Sequence, residues 1–317
     1  MPEPLIHPPA LKPGDKVAVL SPSGPVTPTL LDGGLRTLAS WGLEPWVHES
    51  TYDRGQKAGY LAGGDAVRLA ALHDVFERPD VSAIIFSRGG YGAMRLLAEL
   101  DLGALREHPK LLVGFSDITA LHLYAAGVAG IATLHGPVIK SFGLHEDDPH
   151  TSLVQLCGAL FGERSPAVDG LRTVRPGRAR GPVLGGNLSI VASMLASAHC
   201  PELNGAILML EDVGEEDYRL DRLFTTLRLS EKAHSPAGIV LGDFTGCGGA
   251  YVEDEAIDGF VADLAAEFGC PVVADFPCGH GSRNVAVPMG VEATLDADAG
   301  ALIFDGDAVS DAKRGDS

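Results

Sequence analysis

The chain has 317 residues, 45% of them hydrophobic, with 40 Gly and 21 Pro. At about 150 residues per domain this suits two packed units, and without a Gly-X-Y period a collagen-like fibre is excluded. The formal net charge of -18, from 24 Lys plus Arg against 42 Asp plus Glu, repels polyanions and anionic lipid at long range, so neither nucleic acid nor membrane is expected as a partner.

The N-terminus has no basic-then-apolar leader, and no apolar run approaches the roughly 20 residues of a bilayer span, so a cytoplasmic location is expected. Residues 15–21 read as a short buried strand, 29–42 as a helix and 43–48 as a second strand. A helix is predicted over 66–77, a strand over 81–87, the glycine turn RGGYG at 88–92, and a helix over 93–100. KLLVGFS (110–116) reads as a strand running directly into a helix from Asp117. Strands alternating with helices predict a parallel, Rossmann-like sheet with active loops at the strand C-termini. The domain boundaries expected are 1–145 for an N-terminal α/β domain, 146–180 for a linker and crossing, 181–308 for a β-rich C-terminal domain, and 309–317 for a flexible tail. Within the second domain a helix at 188–198, strands at 205–211, 238–244 and 271–276, and a helix at 217–230 are predicted. The five cysteines, Cys157, Cys200, Cys247, Cys270 and Cys278, form no CxxC pair, and free buried thiols are the expected state.

Two glycine turns resemble nucleotide loops only in part. RGGYG lacks the full G-x-G-x-x-G spacing, and GGN at 185–187 lacks the Lys-Ser/Thr of a phosphate loop. The amides of Gly89 and Gly90 are candidates for oxyanion stabilisation instead. Ser116 ends an apolar strand, where a sharp turn exposes a hydroxyl beside free backbone N–H groups. By its local sequence alone it reads more readily as a helix cap than as a nucleophile. A serine nucleophile needs a base: His280, flanked by Gly279 and Gly281, is one candidate and His135 in TLHGP a rival. The base in turn needs an orienting carboxylate. Glu211 follows five apolar residues, where a carboxylate is costly unless paired, and Glu215 is the reserve. A metal site built from His135, Asp117 and Glu211 has no ligand spacing behind it.

The segments FSRGGYG, LLVGFSDITALH, TLHGPV, GPVLGGNLSIVASMLAS, AILMLEDVGEEDYRLDRLFTTLR, GIVLGDF and GHGSRNVAVPMG, in this order, resemble the LD-carboxypeptidases, a serine peptidase family that includes the microcin C immunity peptidases. The resemblance implies a nucleophile at Ser116, a charge-relay glutamate at Glu211 and a base at His280. It implies an oxyanion hole from the amides of Gly90, with Gly89 second, and of Asp117. No cofactor or metal is expected, and a homodimer is. The implied reaction removes D-alanine from the L-centre of diaminopimelate in cytosolic murein tetrapeptides. The alternative is cleavage of an amide-like bond in an aminoacyl-nucleotide antibiotic, and a non-catalytic cleft binder ranks below both. A small peptide with a free terminal carboxylate is the expected partner, with Arg88 and Arg283 as candidates for holding that group.

Overall fold

The computed structural model describes residues 4–55, 59–142, 152–248 and 255–310. The start of the expected domain crossing and the tail from 311 onward lie outside these. The tail expected from 309 starts on packed chain, with Val309 buried and the Ser310 amide donating to the Pro8 carbonyl, 2.8 Å.

The first half is built from β1 (Lys16–Val19), α1 (Pro28–Ser40), β2 (Glu44–Val47), α2 (Asp65–Glu77), β3 (Val81–Ile85), α3 (Gly103–Glu107), β4 (Leu111–Gly114), α4 (Thr119–His122), β5 (Thr133–His135), α5 (Ile139–Phe142) and α6 (Ser152–Leu160). Strands β2, β1, β3, β4 and β5 lie side by side in parallel. Successive strand side chains point to opposite faces, so an apolar run such as KVAV must be covered on both. Val17 and Val19 pack on one face with Leu31 and Leu38 of α1. Ala18 and Ile84 pack on the other with Leu72, Val75 and Phe76 of α2. Each such side chain taken fully from water contributes about 1.5–3 kcal/mol before the entropy of ordering.

The second half holds β6 (Arg172–Arg175), β7 (Arg178–Asn187), α7 (Leu188–Met194), β8 (Ile207–Val213), α8 (Asp217–Leu229), β9 (Gly238–Thr245), α9 (Glu255–Phe268), β10 (Val272–Ala274), β11 (Val287–Met289), β12 (Glu292–Asp296) and β13 (Ala301–Phe304). The architecture is two-domain α/β, a largely parallel N-terminal sheet followed by a seven-stranded C-terminal sheet ordered β13-β12-β7-β8-β9-β10-β6. Its four central strands run parallel, and the antiparallel pairs sit toward the edges.

Two features tie the halves together. Strand β11 leaves the second half and pairs antiparallel with β5, closing the first sheet to six strands. At the end of β7, a Cβ on Gly186 would sit 2.4 Å from Thr119 Oγ1, and that oxygen accepts the Asn187 amide at 2.9 Å. Only a residue without a side chain lets α4 approach β7 this closely, so the GGN glycines serve packing rather than a phosphate.

The expected helix over 93–100 is a single 3-10 turn, Ala93–Leu96. The expected helix after Ser116 opens as a 3-10 turn, Ser116–Ile118, and passes through α4 into a π-helical turn, Leu123–Val128.

Candidate active site

Strand β4 is fully buried and delivers Phe115 and Ser116 to its C-terminal end. Ser116 has φ +64°, in the left-handed region that L-residues with a side chain rarely adopt. The turn is held from below by Asp117. Its buried carboxylate accepts the Ser23 hydroxyl at 2.5 Å and the Ala93 amide at 2.8 Å. The side chain of Asp117 is therefore a brace between loops. Only its backbone N–H, in the first turn of a helix, is available to the cleft.

The turn that follows β3 lies directly over the serine. A Cβ on Gly89 would fall 2.8 Å from Ser116 Cβ, 2.9 Å from its Oγ and 3.3 Å from the Asp117 nitrogen. Gly89 is buried and Gly90, at φ +115°, is exposed toward the cleft. This turn is pinned by Arg68, a fully buried residue of α2 that donates to the carbonyls of Pro22 and Gly92 and pairs with Asp65. Sequence reasoning missed Arg68. The signal was a charge at helical spacing from Leu72 and Val75 on the face of α2 that meets the sheet.

The other side of the cleft comes from the second half. His280 Nε2 is 3.2 Å from Ser116 Oγ, and its Nδ1 is 2.8 Å from Glu211 Oε2. An ionised carboxylate only accepts, so Nδ1 carries the proton and Nε2 is left to accept from the serine hydroxyl. Glu211, near the end of β8, is fully buried while the His280 side chain keeps 20% exposure. Burial pushes the Glu211 carboxyl above its ordinary value, opposed by the hydrogen bond and charge of His280. A Cβ on Gly279 would meet Glu211 Oε2 at 2.9 Å, and one on Gly281 would meet Asp243 Oδ2 at 2.0 Å. The glycines flanking His280 are thus required by close approach to two carboxylates. The Phe115 ring packs against the imidazole, centroids 4.9 Å apart.

The remaining sequence candidates fall elsewhere. Glu215 faces Arg219 at 3.7 Å and does not reach His280. His135 is fully buried on β5, beside Phe115 and His122, and burial holds it neutral. Among the described residues no three His, Cys, Asp or Glu side chains converge as a metal cage. Arg283 is exposed, beside Asp243, and is not part of the cleft wall. Arg88 is part of it, and so is Lys140, which sequence reasoning did not single out. The cleft encloses about 490 Å³. Of the described residues no helix is long and apolar enough to cross a membrane.

An O–H···N–H···carboxylate relay ending beside backbone amides suits nucleophilic acyl transfer, and the comparisons with known proteins agree. The descriptions "LD-carboxypeptidase N-terminal domain" and "LD-carboxypeptidase C-terminal domain" match residues 17–136 and 180–295. A Streptomyces coelicolor relative is 41% identical, covering 95% of this chain and 96% of its own. The murein tetrapeptide carboxypeptidase of Pseudomonas aeruginosa is 35% identical over 89% and 93%. The microcin self-immunity protein MccF of Escherichia coli is 27% identical over 90% and 91%. Among solved structures, a muramoyltetrapeptide carboxypeptidase from Oxalobacter formigenes superposes with TM-score 0.80 at 26% identity, covering 91% of this chain and 97% of its own. MccF superposes with TM-score 0.85 at 23–24% identity, covering 96% and 100%, in complexes with aspartyl sulfamoyl adenosine and glutamyl sulfamoyl guanosine. At that identity the likeness shows the fold.

These complexes correct the expectation of no nucleic-acid partner, because proteins of this fold hold nucleoside-based ligands. The expectation rested on net charge, which governs the approach of a long polyanion across solvent. A nucleoside-sized ligand inside a cleft meets the local wall instead, within a Debye length. With 41% identity across 95% of its length and matches to both domain descriptions, the chain belongs to the LD-carboxypeptidase family and is a serine hydrolase.

Proposed function

We propose that this hydrolase cleaves the amide bond of a small substrate whose leaving group is anionic, with Ser116 as nucleophile, His280 as base and Glu211 as its orienting carboxylate. The observation that carries the reading is the continuous relay of 3.2 Å and 2.8 Å through His280. Ser116 Oγ attacks the carbonyl carbon as its proton passes to His280 Nε2. The backbone amides of Gly90 and Asp117 hold the oxyanion. His280 then protonates the departing nitrogen, and water releases the acyl group by the reverse proton route. Glu211 keeps the imidazole in the tautomer that accepts at Nε2 and stabilises it once charged.

Two substrates fit this description. In a murein tetrapeptide the leaving D-alanine carries its carboxylate next to the scissile nitrogen. Relatives at 35% identity, named for murein peptides, support this reading. In an aminoacyl sulfamoyl nucleoside the ionised sulfamate is itself the leaving side. The ligands held by MccF, together with its 27% identity to this chain, support that one. The test is to incubate the purified protein with each and follow release of D-alanine or of the sulfamoyl nucleoside. Turnover of one or both, lost in Ser116→Ala, is expected. Turnover of neither by the intact protein overturns the proposal.

A further inference from the structure

The described wall of the cleft is cationic, whereas the chain as a whole is acidic. The chain carries 42 acidic against 24 basic side chains. Yet the described residues that line the cleft include Arg88, Lys140 and His280 and no carboxylate, since Glu211 lies buried behind the imidazole.

The two cations are placed together by the fold. Ser87 and Arg88 follow the end of β3 at Ile85, and the Lys140 amide donates to the Ser87 carbonyl at 2.9 Å, which sets α5 beside Arg88. The guanidinium Nη1 donates to the Pro25 carbonyl at 3.0 Å. It rests over Gly24, where a Cβ would lie 3.3 Å from Nε. Among the described residues neither Arg88 nor Lys140 has a carboxylate partner. Burial and the neighbouring Arg88 charge both lower the proton affinity of the Lys140 ammonium. Two adjacent, partly desolvated like charges with no counter-ion among the described residues cost free energy, and a bound anion would relieve it.

We infer that Lys140 and Arg88 form a two-cation subsite that holds the anionic group on the leaving side of the scissile amide. This rests on the proposed reaction. An anion one or two bonds from the scissile nitrogen must come to rest near the oxyanion, and Arg88 directly precedes the Gly89–Gly90 turn that covers Ser116. The planar guanidinium supplies a directional fork and the ammonium a mobile point charge. A D-amino acid carboxylate and a sulfamate share the chemistry such a pair recognises.

The test compares a murein tetrapeptide with the same peptide amidated at its D-alanine, and an aminoacyl sulfamoyl adenosine as a third arm. Wild type should prefer the free acid in kcat/KM. In Lys140→Met and Arg88→Met the ratio of free acid to amide should fall by about tenfold or more, the size expected for one charge-assisted hydrogen bond. Binding to Ser116→Ala, with and without Lys140→Met, is measured by calorimetry on the same ligands, so that the subsite is read even where turnover is absent. If only the sulfamoyl adenosine is processed, its KM should rise in the Lys140 variant. Turnover by wild type with a free-acid to amide ratio unchanged in Lys140→Met overturns the subsite and leaves the hydrolase intact. Binding of none of the three ligands to Ser116→Ala overturns both.

Discussion

Ser116 Oγ and His280 Nε2 lie 3.2 Å apart although they are 164 residues apart in the chain and belong to different halves of the molecule. Ser116 stands at the end of a strand in the first sheet, and His280 on a loop between β10 and β11. The β11–β5 pairing and the Thr119–Asn187 contact set the distance between them. Interdomain packing is therefore part of the geometry of the proposed relay.

Glu211 should matter far more than Glu215. Glu211→Gln keeps the shape of the side chain but offers an N–H as readily as an acceptor, so the imidazole loses its enforced tautomer. A fall in kcat of about 10³- to 10⁴-fold is expected, by analogy with the orienting carboxylate of serine proteases. Glu215→Gln loses only a half-exposed pairing with Arg219 and should stay within a factor of a few. Steady-state kinetics on whichever substrate is turned over decides it, and equal losses in both variants would break the assignment.

The alternation of strands and helices in the first half was legible because each strand is a short apolar run and each helix carries an apolar stripe. In the second sheet β8, β9 and β10 were legible as the strands expected at 205–211, 238–244 and 271–276. Strand β7 was not, because it starts in alternating Arg residues and ends in the Gly-Gly-Asn that packs on Thr119, so it has no continuous apolar run. Taken residue by residue, Ser116, Glu211 and His280 were legible as separate hints, namely a serine at a strand end, a carboxylate after an apolar run and a histidine between glycines, and only the ordered family motifs joined them. No local pattern states that they meet, since the meeting depends on β11 crossing back to the first sheet. Lys140 was invisible for a related reason. One lysine after GPVI has no meaning until α5 is seen beside Arg88. Asp117 was legible as a site residue, but its role is split: the amide faces the cleft while the carboxylate braces Ser23 and Ala93.

Gly89 leaves no space for a methyl group. Gly89→Ala would bring Cβ to 2.8 Å from Ser116 Cβ and 2.9 Å from Oγ, so either the serine or the 88–90 turn must shift. A displacement near 1 Å at a reacting atom costs about 10²-fold in rate. The variant should show that loss in kcat with its cooperative unfolding retained. Unaltered kcat would mean that the turn yields without disturbing the nucleophile. Ser116→Gly tests the same turn from the other side. With φ at +64°, glycine relieves about 1 kcal/mol that alanine retains, so Ser116→Gly should resist denaturant better than Ser116→Ala, both being inactive.

The buried histidines give the fold a defined sensitivity to acid. His122 is fully buried, its ring nitrogens within hydrogen-bond distance of the Gly114 carbonyl and Thr133 Oγ1, and burial lowers its pKa to about 4. His135 is shifted in the same direction by burial, with the nearby His122 and His280 adding to it, and its ring nitrogens have no partner among the described residues. In the unfolded chain both titrate near the ordinary value of 6.5. A group whose folded pKa is depressed holds its full stabilising contribution above the unfolded value and loses it as pH falls toward the folded one. Tm should therefore hold steady above pH 6.5 and decline between 6.5 and about 4, the window His122 defines. His135→Leu removes one of the two sites and also two unsatisfied buried nitrogens, whose desolvation is uncompensated. Its Tm at pH 8 should equal or exceed that of the wild type, and its decline on acidification should be shallower. Thermal unfolding followed from pH 8 to pH 4 makes the comparison. Parallel curves for the two proteins would show that protonation of His135 does not contribute to the acid limb, leaving His122 and the carboxylates to account for it.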